Sequence, residues 1–348
     1  MAGPLTDFIT SQSKKHPGRV GTEVPPPGEV ISTGIPALDK AIKLGGAPRG
    51  IIVEIFGDEA VGKSALAMVW GASIQKNVCG NVLWIDMERR FWGAFALMLG
   101  MDPDRLVYAR PMVGEEALQI LEDAIDADIF DFIVLDSVAA LVTEDEAKGD
   151  IGDTHIAPTS KLMAEALRKI GPKVAEKKCI VVFINQKRSK PMVMFGKNED
   201  TAGGRALKFW ASLRLELKRL EQIKLGDDVV GHRVRVIVEK SSVAPPYGKG
   251  EYDFRFDSGI DIIGNLIEEA ISLNIITQVS SWFYLANTDK KWNGKKAIDV
   301  ALRSDPVFCQ HIMDLIAVVR QKAGMPSEIK EGDSGEHNTN SSGTDEGS

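Results

Sequence analysis

The chain has 348 residues, is 44% hydrophobic and carries a formal net charge of −7, enough apolar material for one sizeable core with a smaller satellite. The N-terminal stretch "MAGPLTDFITSQSKKHPGRV" has no apolar leader and nowhere do 18 apolar residues run together, which argues against secretion and membrane spanning and makes a cytoplasmic location the expectation; Cys79, Cys179 and Cys309 have neither paired spacing nor a histidine cluster, which argues against a disulfide framework or a zinc site. The charge is uneven: from Met325 onward six acids face Lys330, giving −5 and leaving −2 on residues 1–324, a nearly neutral body that can still bind phosphates through local basic patches.

Near the start, "PGRVGTEVPPPGEV" is a proline- and glycine-rich connector, and the far end, "EGDSGEHNTNSSGTDEGS", is a polar tail with no apolar anchor. Between them short apolar runs alternate with helical patterns: "IIVEIF" then "SALAMVWGASIQ", "NVLWID" then "FWGAFALMLG", "RLVYAR" then "EEALQILEDAI", "DFIVLDS" then "KLMAEALRKI", and "CIVVFINQ". Strict alternation predicts crossover units, hence an α/β fold with a mostly parallel twisted sheet and helices on both faces. After Gly204, "ALKFWASLRLELKRL", "HRVRVIVEKS" and "EYDFRFDSG" read as strands with alternating faces, predicted to join the sheet antiparallel. From Ile262 to about Lys322 a smaller unit is predicted, with helical "NLIEEAISLNII" and "PVFCQHIMDLIAVVRQ" around a polar, basic centre that carries Lys290, Lys291, Lys295 and Lys296.

"GDEAVGKS", Gly57, Asp58, Glu59, Ala60, Val61, Gly62, Lys63 and Ser64, fits the phosphate-loop pattern and lies between a strand-like and a helix-like run, the context that motif needs. Its glycines let successive backbone N–H groups and the following helix N-terminus hold phosphate oxygens, with Lys63 on the terminal phosphates and Ser64 on Mg²⁺. Asp136 ends the buried run "DFIVLDS", where a carboxylate beside a phosphate loop suits Mg²⁺, although strands often end in aspartate. Asp86 and Glu88 in "LWIDMERR" both border the crevice at the carboxyl ends of the strands, and either could orient a water. Gln186 ends "CIVVFINQ", where its amide either satisfies neighbouring backbone or reads the terminal phosphate. The following "KRSKPMVMFGKNEDTAGGR" mixes cations with methionines and a phenylalanine, a combination suited to a nucleic-acid strand.

In this order "GDEAVGKS", "VLDSVAALV", "GDIGDTH", "FINQ", "VMFGKNEDTAGGRALKFWAS" and "VEKSSVAPP" resemble the RecA recombinase family, from about Ile31 to the C-terminal unit. The resemblance implies a RecA-like P-loop ATPase core, ATP and Mg²⁺ as cofactors, and helical self-filaments on single-stranded DNA that pair with double-stranded DNA and exchange strands. It also implies single-strand-binding protein and loading mediators as partners. Carried across, it assigns ATP to Gly57 through Ser64 and Ala65, Mg²⁺ to Ser64 and Asp136, and catalysis to Lys63, Glu88 as activator of water, Gln186 as sensor and Lys240. Phe95 falls where the family stacks a tyrosine on adenine. Ala147 to Ile156, with Gly149, Gly152 and Ile156, resembles the first DNA loop. Lys187 to Ala202, with Arg188, Lys190, Met194 and Phe195, resembles the second, and Lys161, Arg168, Gly203, Gly204 and Arg205 flank them. The chain departs from the pattern at Ser242, which stands where a second lysine reaching the neighbour's ATP is usual.

The implied organisation is an N-terminal oligomerisation segment and linker over 1–30, the ATPase core over 31–261, a small α/β duplex-binding domain over 262–324, and an acidic disordered tail over 325–348. The implied activity is that of a DNA-dependent ATPase catalysing homologous pairing and strand exchange. A hexameric ring motor on the same core and a non-catalytic paralogue that regulates a recombinase are the alternatives. About 30 residues before the core leave little room for a ring motor's partner-binding domain, and intact Lys63, Asp136 and Glu88 oppose the paralogue.

Overall fold

A computed structural model describes residues 4–15, 28–150, 158–189 and 199–322; the expectations for Gly152, Ile156, Lys190, Met194, Phe195 and the tail lie outside the described residues. The main sheet has ten strands among the described residues. Six run parallel, in the spatial order Leu213–Leu225, Ile51–Gly57, Ile180–Ser189, Phe132–Asp136, Val82–Asp86 and Leu106–Ala109. Asp228–Ser241, Lys249–Arg255 and Gly259–Ile260 extend one edge antiparallel, and Glu199–Thr201 pairs antiparallel with Ile180–Ser189.

The central strands are buried on both faces, which is why they read as unbroken apolar runs. One face, with Val53 and Ile55, packs under the helices Pro36–Ile42 and Lys63–Val78. The opposite face, with Ile52, Ile133 and Val181, packs under Gly114–Ala127, Pro158–Lys177 and Gly204–Trp210. The alternation of faces follows from the two-residue period of a strand.

Two expectations are corrected here. The start of "ALKFWASLRLELKRL" is the helix Gly204–Trp210, and the strand after it is parallel to Ile51–Gly57. The alternating charges misled because Arg214 and Glu216 do not face water. Both are buried, Arg214 against Glu54 and Glu216 against Lys187.

The C-terminal unit has its own apolar cluster, built from Leu266, Ile267, Phe283, Ile298, Leu302, Phe308 and Ile312 among others. The segment read as a polar centre contributes an antiparallel sheet of Ile276–Val279, Trp282–Leu285 and Lys291–Asn293, followed by the helix Lys295–Ser304. That helix buries Ile298 and Leu302, an i, i+4 pair too short to announce itself among lysines. Arg320 fastens the unit to the core, donating to Glu269 Oε1 at 2.7 Å and to the Pro36 carbonyl at 3.4 Å. Among the described residues no helix is long and apolar enough to cross a membrane.

Candidate nucleotide and DNA site

The strand Ile51–Gly57 delivers the phosphate loop at its carboxyl end. Gly57 is required by closeness: a Cβ there would stand 2.4 Å from the Leu217 carbonyl oxygen of the adjacent strand. Gly62 caps the helix Lys63–Val78 at φ 96°, a left-handed conformation that other residues adopt at a cost. The loop rests on side chains the sequence reading did not single out. Arg219 Nη2 donates to the carbonyls of Glu59 and Ala60 at 3.2 Å each, and the Phe254 ring lies beneath Gly62. Asp58, Glu59 and Ala60 are exposed, while Val61, Lys63 and Ala65 are buried.

The Lys63 ammonium turns back on its own loop, donating to the carbonyls of Gly57 at 3.2 Å and Asp58 at 2.7 Å. Burial holds its pKa below the usual lysine range, with Asp136 and Glu88 opposing that shift. Ser64 Oγ donates to Asp136 Oδ2 at 2.7 Å. The Asp136 carboxyl is pushed up to about 7, first by burial and further by the neighbouring Glu88 and Asp86, while its bond from Ser64 and the charge of Lys63 work against the shift. A hydroxyl and a half-buried carboxylate, with further acids close by, form an oxygen-donor set short of positive charge, which suits Mg²⁺.

Strand register brings the other acids here, since Asp86 stands opposite Asp136 and Gln186 opposite Gly57. The two candidates for orienting water then separate. Asp86 is 1% exposed and engaged in building the wall, accepting from the Phe91 N–H at 2.9 Å and the Tyr108 hydroxyl at 2.7 Å. Glu88 is half-buried; its Oε1 accepts from Ser137 Oγ at 2.5 Å and from Gln186 Nε2 at 3.3 Å. Gln186 therefore touches the acid, not merely local backbone. Phe95 lies stacked on Trp92, ring centroids 5.5 Å apart and planes 7° apart, and Trp92 is 63% exposed.

The strand bearing Gln186 continues as the first stem of the second loop, with Lys187, Arg188 and Ser189 paired to Thr201, Asp200 and Glu199. Lys187 does not join the free cations expected there: it is half-buried in an ion pair with Glu216 Oε1 at 2.5 Å. Gly203 and Gly204, at φ 80° and 75°, open the helix Gly204–Trp210. A Cβ on either would stand 2.8 Å from Val138 Cγ1 or 2.9 Å from Ser160 Oγ. That close approach sets exposed Arg205 beside the segment bearing exposed Lys161, and Arg168, seven residues on, shares the helix face of Lys161. Gly149 ends the short helix Glu144–Lys148, which a Thr143–Glu146 capping box begins. Lys240 stands apart from Lys63 and Glu88. Its ammonium donates to the carbonyls of Lys208 and Phe209 at 2.8 Å each, closing the end of helix Gly204–Trp210, and burial lowers its pKa, with Arg214 adding to the shift.

A glycine loop leading into a helix at the carboxyl ends of a mostly parallel sheet, with Ser64 on a strand-end aspartate and a glutamate beside it, defines a P-loop ATPase. The family model of the RecA N-terminal domain matches residues 14–261. The chain is 44% identical over 270 residues to the protein called RecA of Clostridioides difficile strain 630, covering 78% of this chain and 77% of that one. Against RecA of Clostridium novyi strain NT identity is 42% over 278 residues, 80% and 79% of the two chains, and against RecA of Clostridium perfringens strain 13 it is 37% over 325 residues, 93% and 91%. The chain belongs to the RecA family. It is accordingly an ATP-using, DNA-dependent ATPase that forms filaments on DNA and acts as a recombinase in homologous recombination and repair.

Proposed function

We propose that ATP turnover is carried out in this chain by Lys63, Glu88 and Gln186, with Ser64 and Asp136 holding Mg²⁺. The observation that supports this most is the contact of Gln186 Nε2 with Glu88 Oε1 at 3.3 Å, on a strand whose register sets Gln186 beside Gly57 and which runs on into the DNA-loop stem. Lys63 already directs its protons at the loop carbonyls of Gly57 and Asp58, so phosphate oxygens replace those acceptors without fresh burial of the ammonium. Mg²⁺, when bound, neutralises phosphate charge. Glu88, fixed by the Ser137 hydroxyl, takes the proton of the attacking water. Gln186 exchanges Glu88 for the terminal phosphate while ATP is present and returns when it is gone, which biases the stem that follows. The Trp92–Phe95 stack carries the base.

The division of labour goes with this reading: 1–30 for contact between copies, 31–261 for ATP and single-stranded DNA, 262–324 for the duplex, and 325–348 as an acidic tail. So do a cytoplasmic location and, as further partners, single-strand-binding protein and loading mediators. Lys240 is assigned to the neighbour's ATP, which requires it to leave the carbonyls of Lys208 and Phe209 when copies assemble.

The test is single-strand DNA affinity measured with ATP and with ADP. Glu88→Gln is expected to lose about 10²- to 10⁴-fold in hydrolysis while keeping the affinity difference. Gln186→Ala is expected to bind ATP normally and lose the difference. Retention of the full difference by Gln186→Ala refutes the sensor role.

A further inference from the structure

Asn185, immediately before Gln186, is fully buried in a layer where apolar residues would pack, yet each of its side-chain groups has a defined task. Its Oδ1 accepts from the Gln186 backbone N–H at 2.9 Å. Its Nδ2 donates both hydrogens, one to Glu54 Oε1 at 2.9 Å and one to the Ala202 carbonyl at 2.9 Å. Glu54 lies three residues before Gly57 on the phosphate-loop strand, and Ala202 immediately follows the returning stem Glu199–Thr201. One amide therefore ties the phosphate-loop strand to the entrance and to the exit of the second DNA loop. A buried amide is costly unless fully satisfied, and here full satisfaction demands that all three segments hold one arrangement.

We infer that Asn185 is a positioning residue that makes the two stems of this loop move together with the nucleotide site. The inference rests on the reading of Gln186 as the phosphate sensor. A shift of Gln186 displaces its backbone N–H from Asn185 Oδ1, and an amide rotated to follow it withdraws Nδ2 from Ala202. Glu54 is the fixed end of the device, because Arg214 Nε holds its other oxygen at 2.5 Å and Arg214 Nη1 is in turn held by Glu239 at 2.6 Å.

Three variants test this: Asn185→Asp, the pair Asn185→Asp with Glu54→Gln, and the neutral Asn185→Ser. Asn185→Asp keeps an acceptor for the Gln186 N–H, loses both donated bonds and sets a second carboxylate against Glu54. The added Glu54→Gln restores a donor and the original charge count at that contact but leaves the Ala202 carbonyl without its donor. For each variant, melting temperature, binding of a slowly hydrolysed ATP analogue, and the ratio of single-strand DNA affinities with that analogue and with ADP are measured.

The expected result is that the affinity ratio falls about tenfold in Asn185→Asp, within the usual range of coupling between sites. In the double variant the melting temperature rises well above that of Asn185→Asp while the ratio stays low, and Asn185→Ser binds the analogue with a lowered ratio. If the double variant recovers the ratio together with the melting temperature, Asn185 is only a structural element and the inference fails. It fails equally if Asn185→Ser keeps the parent's ratio, a measurement that decides the matter should Asn185→Asp not fold. Gln186→Ala run in parallel separates the two readings. Loss of the ratio there with retention in the Asn185 variants defeats this inference alone, and the converse defeats the sensor role and, with it, the coupling of Asn185 to the nucleotide site through Gln186.

Discussion

Replacing Arg214 by methionine removes a cation from one of the most deeply buried ion pairs in the core. Glu54 is 0% exposed, and its two oxygens are held by Asn185 and by Arg214. Without the guanidinium the carboxylate keeps one neutral donor and no access to water, a situation that costs about 3–5 kcal/mol when a buried pair is broken from one side. The Arg214 guanidinium also lies 4.5 Å from the Phe56 ring centroid, a contact that contributes about 1 kcal/mol more when desolvated. Arg214→Met is therefore expected to destabilise by about 4–6 kcal/mol as an upper range. Adding Glu54→Gln removes the stranded charge and should recover about 2–3 kcal/mol of that, since a neutral amide in the same place needs far less compensation. Urea unfolding of the parent, both single variants and the double, analysed by linear extrapolation, measures all four corners of the cycle. An Arg214→Met variant within about 1 kcal/mol of the parent, or a double variant no more stable than it, refutes the reasoning, because a surface-like pair behaves that way.

Three further outcomes follow from named contacts. Asp39 is 2% exposed, accepts from Ser32 Oγ and from the Thr33 amide and hydroxyl, and is pushed up to about 7 by burial; the native state then binds the proton more tightly than the unfolded chain, so its stabilisation is full below about pH 4 and is lost as pH rises toward 7, by at most ~4 kcal/mol. Asp39→Asn should flatten that decline in unfolding measurements from pH 5 to 8, with Asp136 leaving a residual slope in the same window, and an unchanged slope counts against it. Gly204→Ala should cost about 1–3 kcal/mol, from the left-handed backbone and a Cβ set 3.0 Å from Ser160 Cβ, and should weaken stimulation of the ATPase by single-stranded DNA; thermal melts and ATPase assays with and without DNA check both. Tyr108→Phe removes the hydroxyl that donates to Asp86 Oδ2 at 2.7 Å and is expected to cost about 1 kcal/mol in urea unfolding with nucleotide affinity little changed; a large loss of ATP affinity would show that Asp86, not Glu88, serves the nucleotide.

The alternation of apolar runs with helical patterns, and one motif between a strand and a helix, were enough to place the parallel sheet, the phosphate loop and the acids at strand ends. Such features are local, because periodicity and turn chemistry belong to neighbouring residues. The different surroundings of Asp86 and Glu88 were not local. The resemblance assigns the water to Glu88, and the fold adds only the contacts that set the two acids apart: the Tyr108 hydroxyl and the Phe91 amide meet Asp86, and Gln186 and Ser137 meet Glu88, across separate strands and loops. The alternation in "RLELK" read as that of an antiparallel addition to the sheet, whereas the strand is parallel to Ile51–Gly57 and its Arg214 and Glu216 are paired with Glu54 and Lys187. Asn185 carries no signal in the sequence beyond standing next to Gln186, for a buried amide becomes a joint only when the fold brings Glu54 and Ala202 to its two hydrogens. Sequence order sets which side chains exist and how each strand alternates. Register and crossover decide which of them meet, and burial then decides which charges are paired and which are left for a ligand.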